Sequence, residues 1–248
     1  MKRIRSLRDR TPGLTDYLEV ETQRASWEGF RSHDGGRAYR EVVETLTNLQ
    51  RGLCGYCEIR LTEVDRQVEH VVPQSHPRRG TLLALAVENL MACCKGGTAY
   101  RDDPDRYLKP VKQNRSCGEA KGDRADSEFM DPTALPEFPS LIRVLDDGQV
   151  EADPEACGSE GMSATSVTLT IELLNLNARR LRVARAKRWR ALNDEWGERL
   201  ADTEEMQRAA RIEELPVDGR LPEFFTTSRS YFGPAAERVL QEQPRTWV

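Results

Sequence analysis

The sequence predicts an α+β protein: a small cysteine-clamped finger held between a helical N-terminal segment and a mainly helical C-terminal region. Three observations carry that expectation. Five of the six cysteines fall between positions 54 and 117. A short β-branched run, Arg66-Gln67-Val68-Glu69-His70-Val71-Val72, lies among them and stops at Pro73, as a strand end would. The stretches on either side, 37–51 and 163 onward, repeat apolar residues at three- and four-residue spacing.

The chain has 248 residues, 38% hydrophobic and 31% charged, with 37 basic against 41 acidic side chains for a net charge of −4. A chain of this length buries a sizeable core, and charge this balanced does not suit a disordered acidic tail. The longest apolar run, Leu82 to Val87, is far short of the ~20 residues of a membrane span. No apolar stretch follows the basic start Lys2-Arg3-Ile4-Arg5, so no signal peptide is expected and the expected address is the cytoplasm. Cysteines in that compartment serve metal binding or catalysis more often than disulfides. Charge is uneven along the chain: residues 134–162 carry −6 and residues 163–193 carry +6.

In chain order, Tyr39, Val42, Val43, Leu46 and Leu49 form one face of a helix over 37–51. It runs into Cys54-Gly55-Tyr56-Cys57, and the strand 66–72 follows. The polar stretch from Cys94 to Cys117 predicts a loop insertion. Asp146-Asp147-Gly148 between Leu141–Val144 and Val150 predicts a hairpin. Thr165 or Ser166 is placed to cap a helix through Leu174, and Asn177 a second one over 178–200. The boundaries that follow are 1–51 for the N-terminal segment, 52–133 for the finger and 134–248 for the C-terminal region.

The chemistry concentrates in the finger. Cys54-x2-Cys57 is a knuckle able to grip one side of a tetrahedral ion, with Cys93 and Cys117 completing the shell. Adjacent cysteines do not readily face one ion, so one of Cys93 and Cys94 is expected to be a core or spare thiol, and Cys157 an ordinary surface or half-buried one. Glu69-His70 sets an acid beside a base at a strand end. Asn89 follows nineteen residues later, and Cys117-Gly118-Glu119-Ala120-Lys121-Gly122 can open a helix.

That order of motifs resembles an HNH endonuclease with a structural zinc, and Val-Glu-His-Val-Val-Pro-Gln-Ser is similar to the active-site strand of the HNH domain in RNA-guided CRISPR nucleases. The opening Met-Lys-Arg-Ile, Asp131-Pro132, and Thr170–Asn177 with its Arg-rich helix resemble PtuB, the HNH subunit of the Septu phage-defence system, which also accompanies some retrons. The resemblance implies a ββα-metal finger cutting nucleic acid, DNA in preference to RNA. His70 is then the general base, Asn89 the residue bracing its loop, and Glu69 a ligand of catalytic Mg²⁺ or Mn²⁺. It also implies a PtuA-like ATPase partner. The family's second catalytic-metal ligand would fall at Gly118, which has no side chain; Asn114, Glu119 and Asp123 are the nearby substitutes. Lys121, Arg179, Arg180 and Arg182 are candidate phosphate contacts, against the plainer reading that the basic helix 179–190 pairs with the acidic stretch 194–214. The rival functions are an RNA-cutting or free-standing restriction nuclease, and a non-catalytic zinc-stabilised binding module.

Overall fold

The computed structural model describes residues 1–98, 112–198, 202–244 and 246–248. Thr11, whose hydroxyl accepts from Leu14 N, and Pro12 at the first position start α1 (Pro12–Val20). Ser26 caps α2 (Trp27–Ser32) in the same way. Gly36, at φ +78°, turns the chain into α3 (Arg37–Leu49), where only a residue without Cβ sits at ease. The helix predicted over 37–51 is α3, with Val42, Val43 and Leu46 buried along its inner face.

Gln50 explains why α3 stops and where it leads. Its amide is fully buried, donating to Leu53 O at 3.0 Å and Ala92 O at 2.8 Å and accepting from Ala92 N at 2.7 Å. The helix end is thereby tied to both the first cysteine knuckle and the strand that follows. β1 (Gln67–His70) pairs antiparallel with β2 (Leu90–Cys93), Gln67 opposite Cys93 and His70 opposite Leu90. The strand is shorter than the 66–72 run because Val71 N and Val72 N turn to Asn89, one to its backbone carbonyl and one to its side chain. Between the two strands lies the short helix α4 (Gly80–Leu83). The loop expected from Cys94 to Cys117 falls mostly outside the described residues; past it, α5 (Gly118–Lys121) follows Cys117 directly.

The C-terminal region opens with the hairpin predicted from Asp147-Gly148: β3 (Ile142–Val144) and β4 (Val150–Ala152), with Gly148 at φ +80°. Then come α6 (Pro154–Ser159), α7 (Ala164–Leu173), α8 (Arg179–Trp196), α9 (Thr203–Glu214), α10 (Phe225–Phe232) and α11 (Pro234–Glu242). Two caps differ from expectation. Ser163, not Thr165 or Ser166, caps α7. Asn177 does not cap α8; its amide instead brackets Val150, accepting from its N–H at 2.8 Å and donating to its carbonyl at 2.9 Å. Cys157, expected near the surface, is buried with its thiol toward Leu141 O.

A single apolar cluster draws on α1–α3, the finger, β3–β4 and α7, so the finger is embedded rather than appended. Backbone bonds reinforce this: Cys117 N donates to Leu174 O at 2.8 Å, Leu221 N to Arg51 O at 3.1 Å, and Phe224 N to Glu58 O at 2.9 Å. A second cluster joins the end of α8 to α9, α10 and α11. Among the described residues, no helix is long and apolar enough to cross a membrane.

At the end of α9, Glu214 is fully buried and, among the described residues, neither carboxylate oxygen has a hydrogen-bond partner. Burial pushes its pKa well above the usual carboxylate range, against the pull of Arg229 and Arg188. The folded state therefore holds a proton that the unfolded state releases above its own pKa of about 4.3, so stability falls as pH rises past that point. Denaturant unfolding of Glu214→Gln is expected to show greater stability than wild type at pH 8 and a smaller difference at pH 5.

Candidate metal centre and nuclease site

Five buried thiols meet where α3, β2 and α5 converge. The four whose sulfurs all lie within 4.8 Å of one another are Cys54, Cys57, Cys94 and Cys117. Cys57–Cys94 and Cys94–Cys117 are 3.7 Å apart and Cys54–Cys117 4.0 Å. A tetrahedral thiolate site with metal–sulfur bonds near 2.3 Å has sulfur–sulfur edges of about 3.8 Å. The donor set therefore fits a metal ion such as zinc, closed by four sulfurs.

Of the adjacent pair, Cys94 takes the place given to Cys93, and Cys93 is the spare thiol. The reason is strand geometry. Cys93 ends β2 and alternates with Ala92 and Cys94 across the sheet. Cys94 is the first residue past the strand, and its N–H donates to Cys54 Sγ at 3.3 Å. Cys93 Sγ still lies 3.7 Å from Cys54 Sγ but stands outside the four. Burial, then the neighbouring thiols, push the Cys117 thiol up; a bound cation reverses that balance and draws off the proton.

α8 contributes to this centre from the inside. Arg180 is buried, hydrogen-bonds Ser116 Oγ and packs on Gly97 just past Cys94. Burial works against its charge, but Cys94, Cys57 and Cys117 overcome it and hold the guanidinium protonated. Arg185, also buried, donates to Gly148 O and Leu176 O. Arg180 is thus not placed as a phosphate contact, because its charge faces the thiols. Arg182 pairs with Asp147, and Arg179 is exposed. Arg188 pairs with Glu213 at 2.6 Å, in line with the plainer reading of the basic helix.

β1 ends at the acid–base pair. His70 is 8% exposed, with Nε2 2.9 Å from Ala84 O and Nδ1 3.4 Å from Gln74 Nε2. A carbonyl can only accept, so Nε2 carries the proton and Nδ1 the lone pair. The indole of Trp27 stands edge-on to the imidazole, ring centroids 4.4 Å apart. Burial lowers the His70 pKa, which keeps the ring neutral. Asn89 does what a loop brace requires: Oδ1 accepts from Val72 N at 2.8 Å, and Nδ2 donates to Val72 O and Leu83 O at 3.1 Å each.

Glu69 points away from His70, as alternation demands. Its Oε1 is 2.7 Å from Lys121 Nζ and 3.4 Å from Tyr56 Oη. Lys121 is 2% exposed and also donates to the carbonyls of His70 at 2.7 Å and Val71 at 3.0 Å. The reading of Lys121 as a phosphate contact is therefore corrected: it is a buried strut between α5 and β1. Burial raises the Glu69 pKa, with Lys121 opposing.

A Cβ at position 118 would collide with Glu69 Oε2. Gly118 thus leaves room for the Glu69 carboxylate, which packs against it. Mg²⁺ is commonly held by only one or two protein carboxylates, and Glu69 is one that could serve. Of the three substitutes, Glu119 reaches Gln67 Nε2 at 3.5 Å, Asp123 is exposed beyond the end of α5, and Asn114 sits on a turn before Cys117. Among the described residues, neither Glu119 nor Asp123 forms a three-ligand cluster with Glu69. The sequence did not single out Tyr56, Gln74 or Trp27; only the position of Tyr56 between the knuckle cysteines hinted at a role.

No family model matches the chain. Two curated proteins are similar to it. The retron Ec83 HNH endonuclease of Escherichia coli is 30% identical over 197 residues, covering 68% of this chain and 72% of its own. The retron Vc95 HNH endonuclease of Vibrio cholerae serotype O1 biovar El Tor is 26% identical over 174 residues, covering 70% and 76%. The chain belongs to this family of HNH endonucleases and is an endonuclease.

The metal centre makes a sharp expectation about the adjacent cysteines. Cys94→Ala should lose the bound metal, while Cys93→Ala should keep one ion per chain by atomic spectroscopy. A reversed pattern would restore Cys93 as the ligand.

Proposed function

We propose that this endonuclease cuts DNA in a retron-linked, Septu-like defence complex with a PtuA-like ATPase. His70 is its general base, Glu69 its ligand for Mg²⁺ or Mn²⁺, and a structural zinc on Cys54, Cys57, Cys94 and Cys117 its scaffold. The observation that carries the catalytic part is the pinned imidazole: Nε2–H on Ala84 O leaves the basic Nδ1 in one orientation. The retron names of both similar proteins support the wider setting.

A neutral imidazole can take a proton from water at cellular pH. His70 Nδ1 accepts that proton as the water oxygen bonds to phosphorus and the bond from phosphorus to the leaving oxygen breaks, the leaving oxygen taking a proton from solvent; Gln74 beside Nδ1 helps place the water. Asn89 keeps the loop closed, so the base meets its water without first having to be ordered. Burial against Trp27 holds the ring uncharged before the step. Glu69, through Oε2, would hold the divalent ion, which when bound polarises the phosphate and neutralises charge on the leaving oxygen. Lys121 fixes the Glu69 carboxylate and the carbonyls at the end of β1, so the acid and the base keep a constant relation. Zinc closed by four thiolates has no open position for water and serves only to hold the frame.

A cleavage time course on plasmid and on total tRNA, with Mg²⁺ and with Mn²⁺, tests this reading. His70→Ala should lower the rate about 10²–10⁴-fold on plasmid while zinc content stays at one per chain. Equal cutting by wild type and variant would remove His70 from the mechanism, and cutting of tRNA alone would replace DNA by RNA. An ATPase encoded beside this chain should co-purify with it; its failure to do so would remove the defence-complex part and leave the nuclease.

A further inference from the structure

We propose that the segment from Gln74 to Leu82 is a duplex-DNA contact element, in which Arg78 and Arg79 bind phosphates flanking the scissile bond and Leu82 packs into the groove between them. The inference rests on the reading of His70 as a nuclease base, and it assigns the substrate contacts of that same site.

The segment is built onto His70 from both sides. Gln74 Nε2 lies 3.4 Å from His70 Nδ1, and Ala84, just past α4, takes the Nε2 proton at 2.9 Å. Asn89 staples Val72 and Leu83 together across the base of the loop. The segment is therefore anchored at both of its ends to the two ring nitrogens of His70.

The loop is also internally fixed. His76 N donates to Pro73 O at 3.0 Å and Gly80 N to His76 O at 2.9 Å. His76 Nδ1 accepts from the N–H groups of both Arg78 and Arg79 at 3.2 Å, which aims their backbone as a pair. Gly80 lies against Gln74 O so closely that any Cβ would collide, which lets the chain fold back on itself. A loop ordered this way presents its side chains without an ordering cost on binding.

The presented side chains have no structural employment. Arg78 and Arg79 are exposed, and among the described residues neither guanidinium has an ion-pair or hydrogen-bond partner. Elsewhere arginines are consumed internally, as in Arg229–Glu237, Arg211–Glu242 and Arg143–Glu151. Leu82 is 79% exposed, more than any other large apolar side chain described. Guanidiniums match phosphate oxygens in bidentate geometry, and an exposed apolar side chain a few residues on is of the kind that proteins insert into a DNA groove. Arg78 and Arg79 thus take the role that the sequence suggested for Lys121 and Arg180.

Fluorescence anisotropy on a labelled DNA duplex, without added Mg²⁺ and across about 50–200 mM salt, reads the two kinds of contact separately. Arg78→Gln/Arg79→Gln should weaken binding about 10- to 100-fold and make the slope of log K against log salt less negative by about 2, roughly one unit per lost phosphate contact. Arg78→Lys/Arg79→Lys should retain the slope. Leu82→Ala should weaken binding with the slope unchanged, since no counterion is released at an apolar contact. Zinc content and thermal midpoint should match wild type in all three, because none of these side chains is used by the fold. Wild-type affinity and slope in the glutamine pair would overturn the proposal and point to a protein partner on this face. So would lost affinity with an unchanged slope. Failure of the wild-type chain itself to bind duplex DNA would go against the DNA nuclease reading rather than this assignment alone.

Discussion

Four buried sulfurs, from Cys54, Cys57, Cys94 and Cys117, must share a small volume, and most of the architecture around the site follows from satisfying them. Burial and the neighbouring thiols push the Cys117 thiol up, while hydrogen bonds from those same neighbours draw Cys54 and Cys94 down, so the cluster divides into groups that hold and groups that release their protons. A divalent ion bound by four thiolates would leave the centre with two excess negative charges. Buried charge needs a partner, and Arg180 supplies one from a helix some sixty residues further along the chain than Cys117. The C-terminal region is thus coupled electrostatically to the finger, as well as through Cys117 N to Leu174 O.

The same cysteine cluster adjoins the strand that carries Glu69 and His70. Cys94 follows β2 immediately, so an ion held there would anchor one end of the β1–β2 pair, while Gln50 binds both the N–H and the carbonyl of Ala92. Cys117 begins α5, and Lys121 at its other end carries hydrogen bonds to the carbonyls of His70 and Val71. The tip of β1 is therefore held from both flanks. Alternation along that strand turns Glu69 toward α5 and His70 toward Trp27, dividing the acid and the base between two faces. Gly118 belongs to this arrangement, since its missing side chain is what admits the Glu69 carboxylate.

Much of this was legible in the sequence where local pattern decides. The face of α3, the Asp147-Gly148 hairpin, the strand ending near His70 and the finger's cysteine knuckle are all local signals. The losses have one cause, which is that spacing along a chain does not report direction in space. Cys93 and Cys94 differ only in which side of β2 they face, and the choice depends on where the strand stops. Lys121 and Arg180 look like phosphate contacts because they are basic and near the motif, yet one is a strut under Glu69 and the other faces the thiols. Arg78 and Arg79 stood beside the active-site motif without attracting notice, since exposure is a property of the folded surface.

A tetrathiolate metal centre made with Cys94 would hold the strand carrying Glu69 and His70 in place. X-ray absorption at the zinc edge on the purified chain tests it most directly, because it counts ligands by element and distance. The account expects four sulfur scatterers at about 2.3 Å and no nitrogen or oxygen in the inner shell. A shell with nitrogen or oxygen ligands, or no zinc in the folded protein, would contradict it.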